Sequence, residues 1–138
     1  MTIASDRFLS VDDNRDSADL AARVAKRCGF EARAECNPAA VPELVREWQP
    51  DIVSLDLCMP EIDGVELLGK LINCGFSGEI IFISGQTNRM VHLAGKLAEA
   101  HGLSVLAEMT KPIEVSRLRD LLTTARQKMA SPCVATGA

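Results

Sequence analysis

Asp51-Ile52-Val53-Ser54-Leu55-Asp56-Leu57-Cys58-Met59-Pro60-Glu61-Ile62-Asp63-Gly64 passes from a short apolar run to a carboxylate, then to a proline turn and an Asp-Gly pair. A run of this length bounded by turn residues reads as a buried strand. A charge at its carboxyl end is costly unless something there uses it. A second run, Phe8-Leu9-Ser10-Val11, ends the same way, in Asp12 and Asp13. As parallel neighbours, the two strands would bring three carboxylates to one sheet edge. Such acids repel one another unless a cation sits among them, so the pattern points to Mg²⁺ beside an anionic ligand, and from there to phosphoryl chemistry.

Outward from these two runs, the chain alternates strand-like and helix-like stretches. The strands are expected at Arg7 to Val11, Glu31 to Glu35, Asp51 to Leu55, Glu79 to Ile83 and Ser104 to Met109. Glu31 to Glu35 mixes charge with small residues and suits an edge; Ile80-Ile81-Phe82-Ile83 has no room for a solvated face and suits the middle. Between them fall helical stripes: Leu20, Val24 and Cys28; Val41, Leu44, Val45 and Trp48; Val65, Leu68 and Ile72; Met90, Ala94, Leu97 and Ala98; Val115, Leu118, Leu121, Leu122 and Ala125. Gly29 and Gly75 end helices, Pro50 stops another, and Asp63 and Thr87 can cap. This βα alternation predicts an α/β fold, a doubly wound five-stranded parallel sheet of (βα)5 form, with the flavodoxin-like order 2-1-3-4-5. In that order the first and third strands are neighbours at the switch point, where such folds bind ligands.

Composition narrows the function. The 138 residues suit one domain with its own core. A single domain is expected over 1–129, with 130–138 an aperiodic tail or the start of a linker. A net charge of −4 disfavours direct contact with nucleic acid. No apolar run approaches a membrane span and no signal pattern opens the chain, so a cytoplasmic location is expected. Cys28, Cys36, Cys58, Cys74 and Cys133 form no CxxC pair and read as reduced thiols.

Two more residues fall on the edge that carries the acids: Ser84, directly after the fourth strand, and Lys111, after the fifth and followed by Pro112. A hydroxyl to bond a phosphoryl oxygen and an ammonium to neutralise its charge are what a phosphorylated carboxylate needs. Bland readings compete with these. Asp12 could cap the first helix, although Asn14 and Asp16 can do so too, Ser84 could be a turn serine and Lys111 a solvated lysine. His92 and His101 read as surface residues, and Trp48 as packing at a helix end.

With these residues quoted, the chain resembles the receiver domain of two-component response regulators, over about residues 6 to 126. The match rests on Asp12-Asp13, Asp56, the turn from Met59 to Gly64, Ser84-Gly85 and Lys111-Pro112, in this order at the ends of four strands. The resemblance implies that Asp56 is the phosphoacceptor, a nucleophile toward the phosphohistidine of a sensor histidine kinase or phosphotransfer protein. It implies that Asp13 and Asp56 bind Mg²⁺ with the backbone carbonyl of Cys58, and that Asp12 acts mainly through water. Ser84 and Lys111 would hold phosphoryl oxygens, and Lys111-Pro112 would be a cis peptide. The expected role is a signalling switch that phosphorylates and dephosphorylates only itself, changing the face formed by helix 4, strand 5 and helix 5 to control an output domain or partner. That face is also where such domains pair as homodimers.

The chain departs from the family pattern at Glu108. Many receivers carry an aromatic there, three before the lysine, and this chain has no tyrosine. Signalling here is therefore expected to rest on Ser84 displacement and the fourth-helix face, with Glu108 in solvent or paired with a cation. Cys58 and Gln86 take the two positions that tune phosphoryl lifetime in the family. The 27 positions from Ser84 to Lys111, and Ala100 to Leu106 within them, look like receivers joined to EAL-type phosphodiesterases. A phosphatase of the haloacid dehalogenase type would need a second acid where Cys58 stands. A dinucleotide-binding domain would need a GxGxxG after the first strand. A phosphorylation-independent interaction module is the remaining alternative, and the intact acids, hydroxyl and lysine argue against it.

Overall fold

Strands that are apolar on both faces need cover on both, and the chain supplies it by returning a helix after every strand. The computed structural model describes residues 6–57, 64–85 and 88–130. In chain order these form β1 (Arg7–Val11), α1 (Arg15–Arg27), β2 (Glu31–Glu35), a 3-10 turn (Pro38–Ala40), α2 (Val41–Trp48) and β3 (Ile52–Asp56). There follow α3 (Gly64–Asn73), β4 (Glu79–Ser84), α4 (Asn88–Ala100), β5 (Ser104–Thr110) and α5 (Val115–Ala130). All pairings are parallel and the order is β2-β1-β3-β4-β5, the doubly wound order expected.

Alternation along the strands sends neighbours to opposite faces. Leu9, Val53, Leu55, Ile80 and Phe82 pack with α2, α3 and α4 on one side. Phe8, Ile52, Ile81 and Ile83 pack with α1 and α5 on the other. β3 is buried at every residue, which fixes it in the middle of the sheet. β2 takes an edge, as its mixed composition predicts. β4 and β5 slip register between Ile80 and Ile81, so Leu106 is an extra residue in the outer strand.

Several helix faces differ from the expected stripes. In α1 the buried residues are Ala18, Ala21, Ala22, Val24 and Ala25, while Leu20 and Cys28 are half-buried. Alanines let the helix lie close to the sheet, a preference invisible to a reading that weights large side chains. In α3, Leu67, Leu68 and Leu71 take the centre, and Val65 and Ile72 flank it. Val115, expected in the core, is exposed, and α5 anchors instead through Leu118, Leu122 and Ala125. The helix expected from Pro38 starts as a 3-10 turn, because Pro42 has no N–H for a regular first turn. It ends at Gln49, in the left-handed region at φ 54°, before Pro50 is reached.

The expected caps Asp63 and Thr87 lie outside the described residues, as do 131–138. α5 runs through Ala130. Among the described residues no helix is long and apolar enough to cross a membrane.

Candidate functional site

The carboxyl ends of β1, β3, β4 and β5 meet at one rim of the sheet. Val11 sits beside Leu55, Asp56 beside Ile83, and Ser84 beside Thr110. Asp12 and Lys111 each follow their strand by one residue, so the acids, the hydroxyl and the lysine come together as the order predicts. Backbone bonds seal the rim: Leu57 N–H donates to Ile83 O (2.9 Å) and Lys111 N–H to Ser84 O (3.0 Å). The Lys111-Pro112 peptide is cis, as expected.

Asp12, Asp56 and Ser84 are buried almost completely, and Asp13 is exposed. Lys111 reaches in from β5: its Nζ donates to Asp56 Oδ2 at 3.1 Å and lies 3.0 Å from Asp12 Oδ2. Lys111 is thus shared between the two carboxylates, and Asp12 Oδ2, buried beside the ammonium, keeps a second lone pair for another partner. Asp12 Oδ1 accepts from the Asn14 N–H at 2.9 Å. Asn14 itself caps α1, accepting from Ser17 N–H at 3.0 Å, which removes the reading of Asp12 as the cap. Sequence reasoning gave Asn14 no place in the site, and its identity carries no signal there, because its backbone N–H makes the contact.

Charge balance follows from this geometry. Burial raises the Asp12 pKa; the Asn14 N–H and Lys111 pull it back, and the Asp56 carboxylate pushes the same way as burial. Burial alone would lower the Lys111 pKa, but contact with Asp12 and Asp56 outweighs it and holds the ammonium above its ordinary range. Carboxylate oxygens of Asp12, Asp13 and Asp56 lie within 4.8 Å of one another. All three are hard oxygen donors, one carries an open lone pair, and the cluster faces solvent through Asp13. That donor set suits a small divalent cation such as Mg²⁺. Cys58, whose carbonyl is an expected ligand, lies outside the described residues, as do the turn 59–63 and Gln86.

Glu108 is exposed, and its carboxylate forms no ion pair among the described residues. Its backbone oxygen accepts from Arg117 Nη2 at 3.4 Å, and its side chain lies against α4 at Gly95. His92 and His101 are exposed and Trp48 is buried in the core, all as expected.

The model of the response regulator receiver domain matches residues 8–123. The chain belongs to that family. Its receiver is 30% identical over 122 residues to the chemotaxis protein CheY of Listeria monocytogenes, covering 86% of this chain and 97% of that one. An uncharacterized response regulatory protein of Yersinia pestis is 33% identical over 120 residues, 85% of this chain. The chain spans 47% of that relative and 28% of a protein-glutamate methylesterase/protein-glutamine glutaminase of Albidiferax ferrireducens. A crystal structure of a response regulator from Colwellia psychrerythraea superposes with a TM-score of 0.77 at 30% identity, covering 91% of this chain and 99% of its own. Receivers are signalling domains of two-component systems, and they interact with histidine kinases or phosphotransfer proteins.

Proposed function

We propose that this receiver accepts a phosphoryl group on Asp56 from the phosphohistidine of a sensor histidine kinase or phosphotransfer protein. The observation that carries the reading is the Lys111 ammonium held between two buried carboxylates, 3.0 and 3.1 Å from them, at the rim where four strands end. In the transfer an Asp56 oxygen attacks phosphorus as the P–N bond to histidine breaks, and the released imidazole takes a proton. Lys111 exchanges a carboxylate partner for a phosphoryl oxygen, and the Ser84 hydroxyl donates to another. Asp12, Asp13 and Asp56, with the Cys58 carbonyl, would hold Mg²⁺. When bound, the ion offsets the charge of donor and acceptor so they can approach in line. Asp56 is spent as an acceptor and restored by hydrolysis, so the domain's only chemistry is its own acyl phosphate.

The reading extends to a switch in which Ser84 moves toward the phosphoryl group. The Lys111 N–H bond to Ser84 O links that movement to β5, and the Arg117 bond to Glu108 O links β5 to α5. The face of α4, β5 and α5 would then meet a partner, a second copy, or an output domain after residue 130, with an EAL-type phosphodiesterase the candidate from 100–106. Leu93, 55% exposed on α4, supports an interaction on that side. Residues 1–129 would be the receiver, in the cytoplasm with its kinase.

The test is incubation with acetyl phosphate and MgCl₂ followed by intact mass. One added phosphoryl group, absent without the metal and absent in Asp56→Asn, is the expected result. Full occupancy in Asp56→Asn, or turnover of a generic phosphate ester, would overturn the assignment.

A further inference from the structure

The open edge of β2 carries features that phosphoryl chemistry does not use. Glu31 N–H donates to Asp6 O (2.8 Å) and Glu35 O accepts from Asp12 N–H (3.3 Å), so the odd-numbered residues of β2 turn their backbone groups toward β1. Alternation then turns the N–H and C=O of Ala32 and Ala34 outward, where no strand follows among the described residues.

Beside this edge runs a groove of about 390 Å³. Its α1 wall carries Arg15, Asp19, Arg23 and Lys26, and β2 contributes Ala32 and Ala34, which face α1. Spacings of three and four place the α1 side chains on one stripe. At ~1.5 Å per residue that stripe is about 16 Å long, the reach of a strand of about five residues. Floor and wall therefore match in length.

Charge says what would fit there. Arg15 is shared with Asp19 at 3.8 Å. Arg23 and Lys26 form no ion pair among the described residues, while Arg33 turns to the opposite face of β2, over the Trp48 ring at 4.6 Å from its centroid. The nearby acids of β2 are engaged: Glu31 with Arg7 at 3.4 Å and Glu35 with the Asn37 N–H at 3.0 Å. A local positive surplus on a chain of net charge −4 is not an average of composition. Neither 1–5 nor 131–138 contains an acid, so the chain's own ends are poor occupants. A second copy would bring the same cations and be repelled.

We propose that this groove docks an extended, acidic segment of a partner protein, added to β2 as a sixth strand with its carboxylates on the α1 side against Arg23 and Lys26. The proposal stands apart from the phosphoacceptor reading, since the groove contains none of the rim residues.

The test uses a fluorescein-labelled peptide of alternating glutamate and valine, read by anisotropy and by ¹⁵N shifts of the full chain. Saturable binding is expected, with amide shifts at Ala32, Ala34 and along α1, and with the same affinity in Asp56→Asn. Arg23→Gln/Lys26→Gln should weaken it at least about tenfold, as should raised salt. The single variants Arg23→Gln and Lys26→Gln should each lose an intermediate amount. A peptide N-methylated at alternate residues keeps the charge but loses the strand bonds, and it should not bind. The proposal is overturned if the N-methylated peptide binds as well as its parent, if the shifts fall elsewhere, or if the glutamine variants bind unchanged. It is equally overturned if phosphatidylserine vesicles or duplex DNA bind the groove and the peptide does not.

Discussion

Replacing Lys111 with methionine removes one charge and little volume, and it should make the protein lean on magnesium. The ammonium lies 3.0 and 3.1 Å from two buried carboxylates. At an effective dielectric of about 20, each such contact is worth about 5 kcal/mol before desolvation. Desolvation offsets most of this, and breaking a buried pair by removing one partner typically costs about 3–5 kcal/mol. The Lys111 side chain is 28% exposed, so the lower figure applies, and we expect Lys111→Met to lose about 2–3 kcal/mol without metal. With the ammonium gone, a divalent cation no longer competes for Asp12 and Asp56. A tenfold gain in magnesium affinity would return about 1.4 kcal/mol at saturation. Urea melts of both proteins, with EDTA and with saturating MgCl₂, give all four stabilities. Equal stabilisation of both by magnesium would refute the idea that ammonium and cation occupy one electrostatic site. An unchanged midpoint in EDTA would refute the cost assigned to the unpaired acids.

Other expectations follow from the same geometry. The folded-state pKa of Lys111 is raised, so its stabilising contribution is complete below the ordinary value of 10.5 and is lost as pH rises through the higher folded value. The wild type should therefore lose more stability than Lys111→Met in urea melts taken at increasingly alkaline pH, and parallel losses would contradict the pairing. Asp13 is exposed, so Asp13→Asn should change stability by no more than about 0.5 kcal/mol while weakening magnesium binding at least about tenfold by titration calorimetry; unchanged affinity would remove it from the ligand set. A methyl at Gly78 would collide with the backbone oxygen of Asp51, whereas one at Gly95 would stand 3.6 Å from the nearest atom, Glu108 Oε2. Gly78→Ala should cost about 1–3 kcal/mol, and Gly95→Ala should add up to about 1 kcal/mol through helix propensity, both read from thermal melts; a reversal of the two signs would show a different packing of α4 and of the β3–β4 end.

Strand positions were legible because buried parallel strands are nearly pure in type: Ile52 to Leu55 and Glu79 to Ile83 leave no other reading. The acids, Ser84 and Lys111 were legible because polar residues at the ends of such runs have no packing role. Helix faces were less so. Alanine contributes little to any hydrophobic count, yet Ala18, Ala21, Ala22 and Ala25 form most of the α1 face, since small side chains decide how near a helix can lie. Val115 misled because periodicity alone cannot say where the first turn of α5 clears the sheet. The two-sided contact of Lys111 was beyond the sequence as well. Charge and order place a lysine at the rim, but only the strand register decides which carboxylates it reaches.

That contact explains how so acidic a rim is held within the fold. Three carboxylates within 4.8 Å would be strongly destabilising if they faced only one another. Lys111 gives the two buried ones a positive charge from within the fold, and Asp13, the third, stays in solvent, where its charge costs little. The arrangement holds its charges in place while leaving Asp12 Oδ2 open to a further partner. On the proposed reading a cation would enter through Asp13, and Lys111 would turn from carboxylate to phosphoryl oxygen. On that reading the lysine serves the resting state as much as the phosphorylated one. Removing it should disturb the unloaded protein first, which is why the decisive measurement is a stability taken without magnesium.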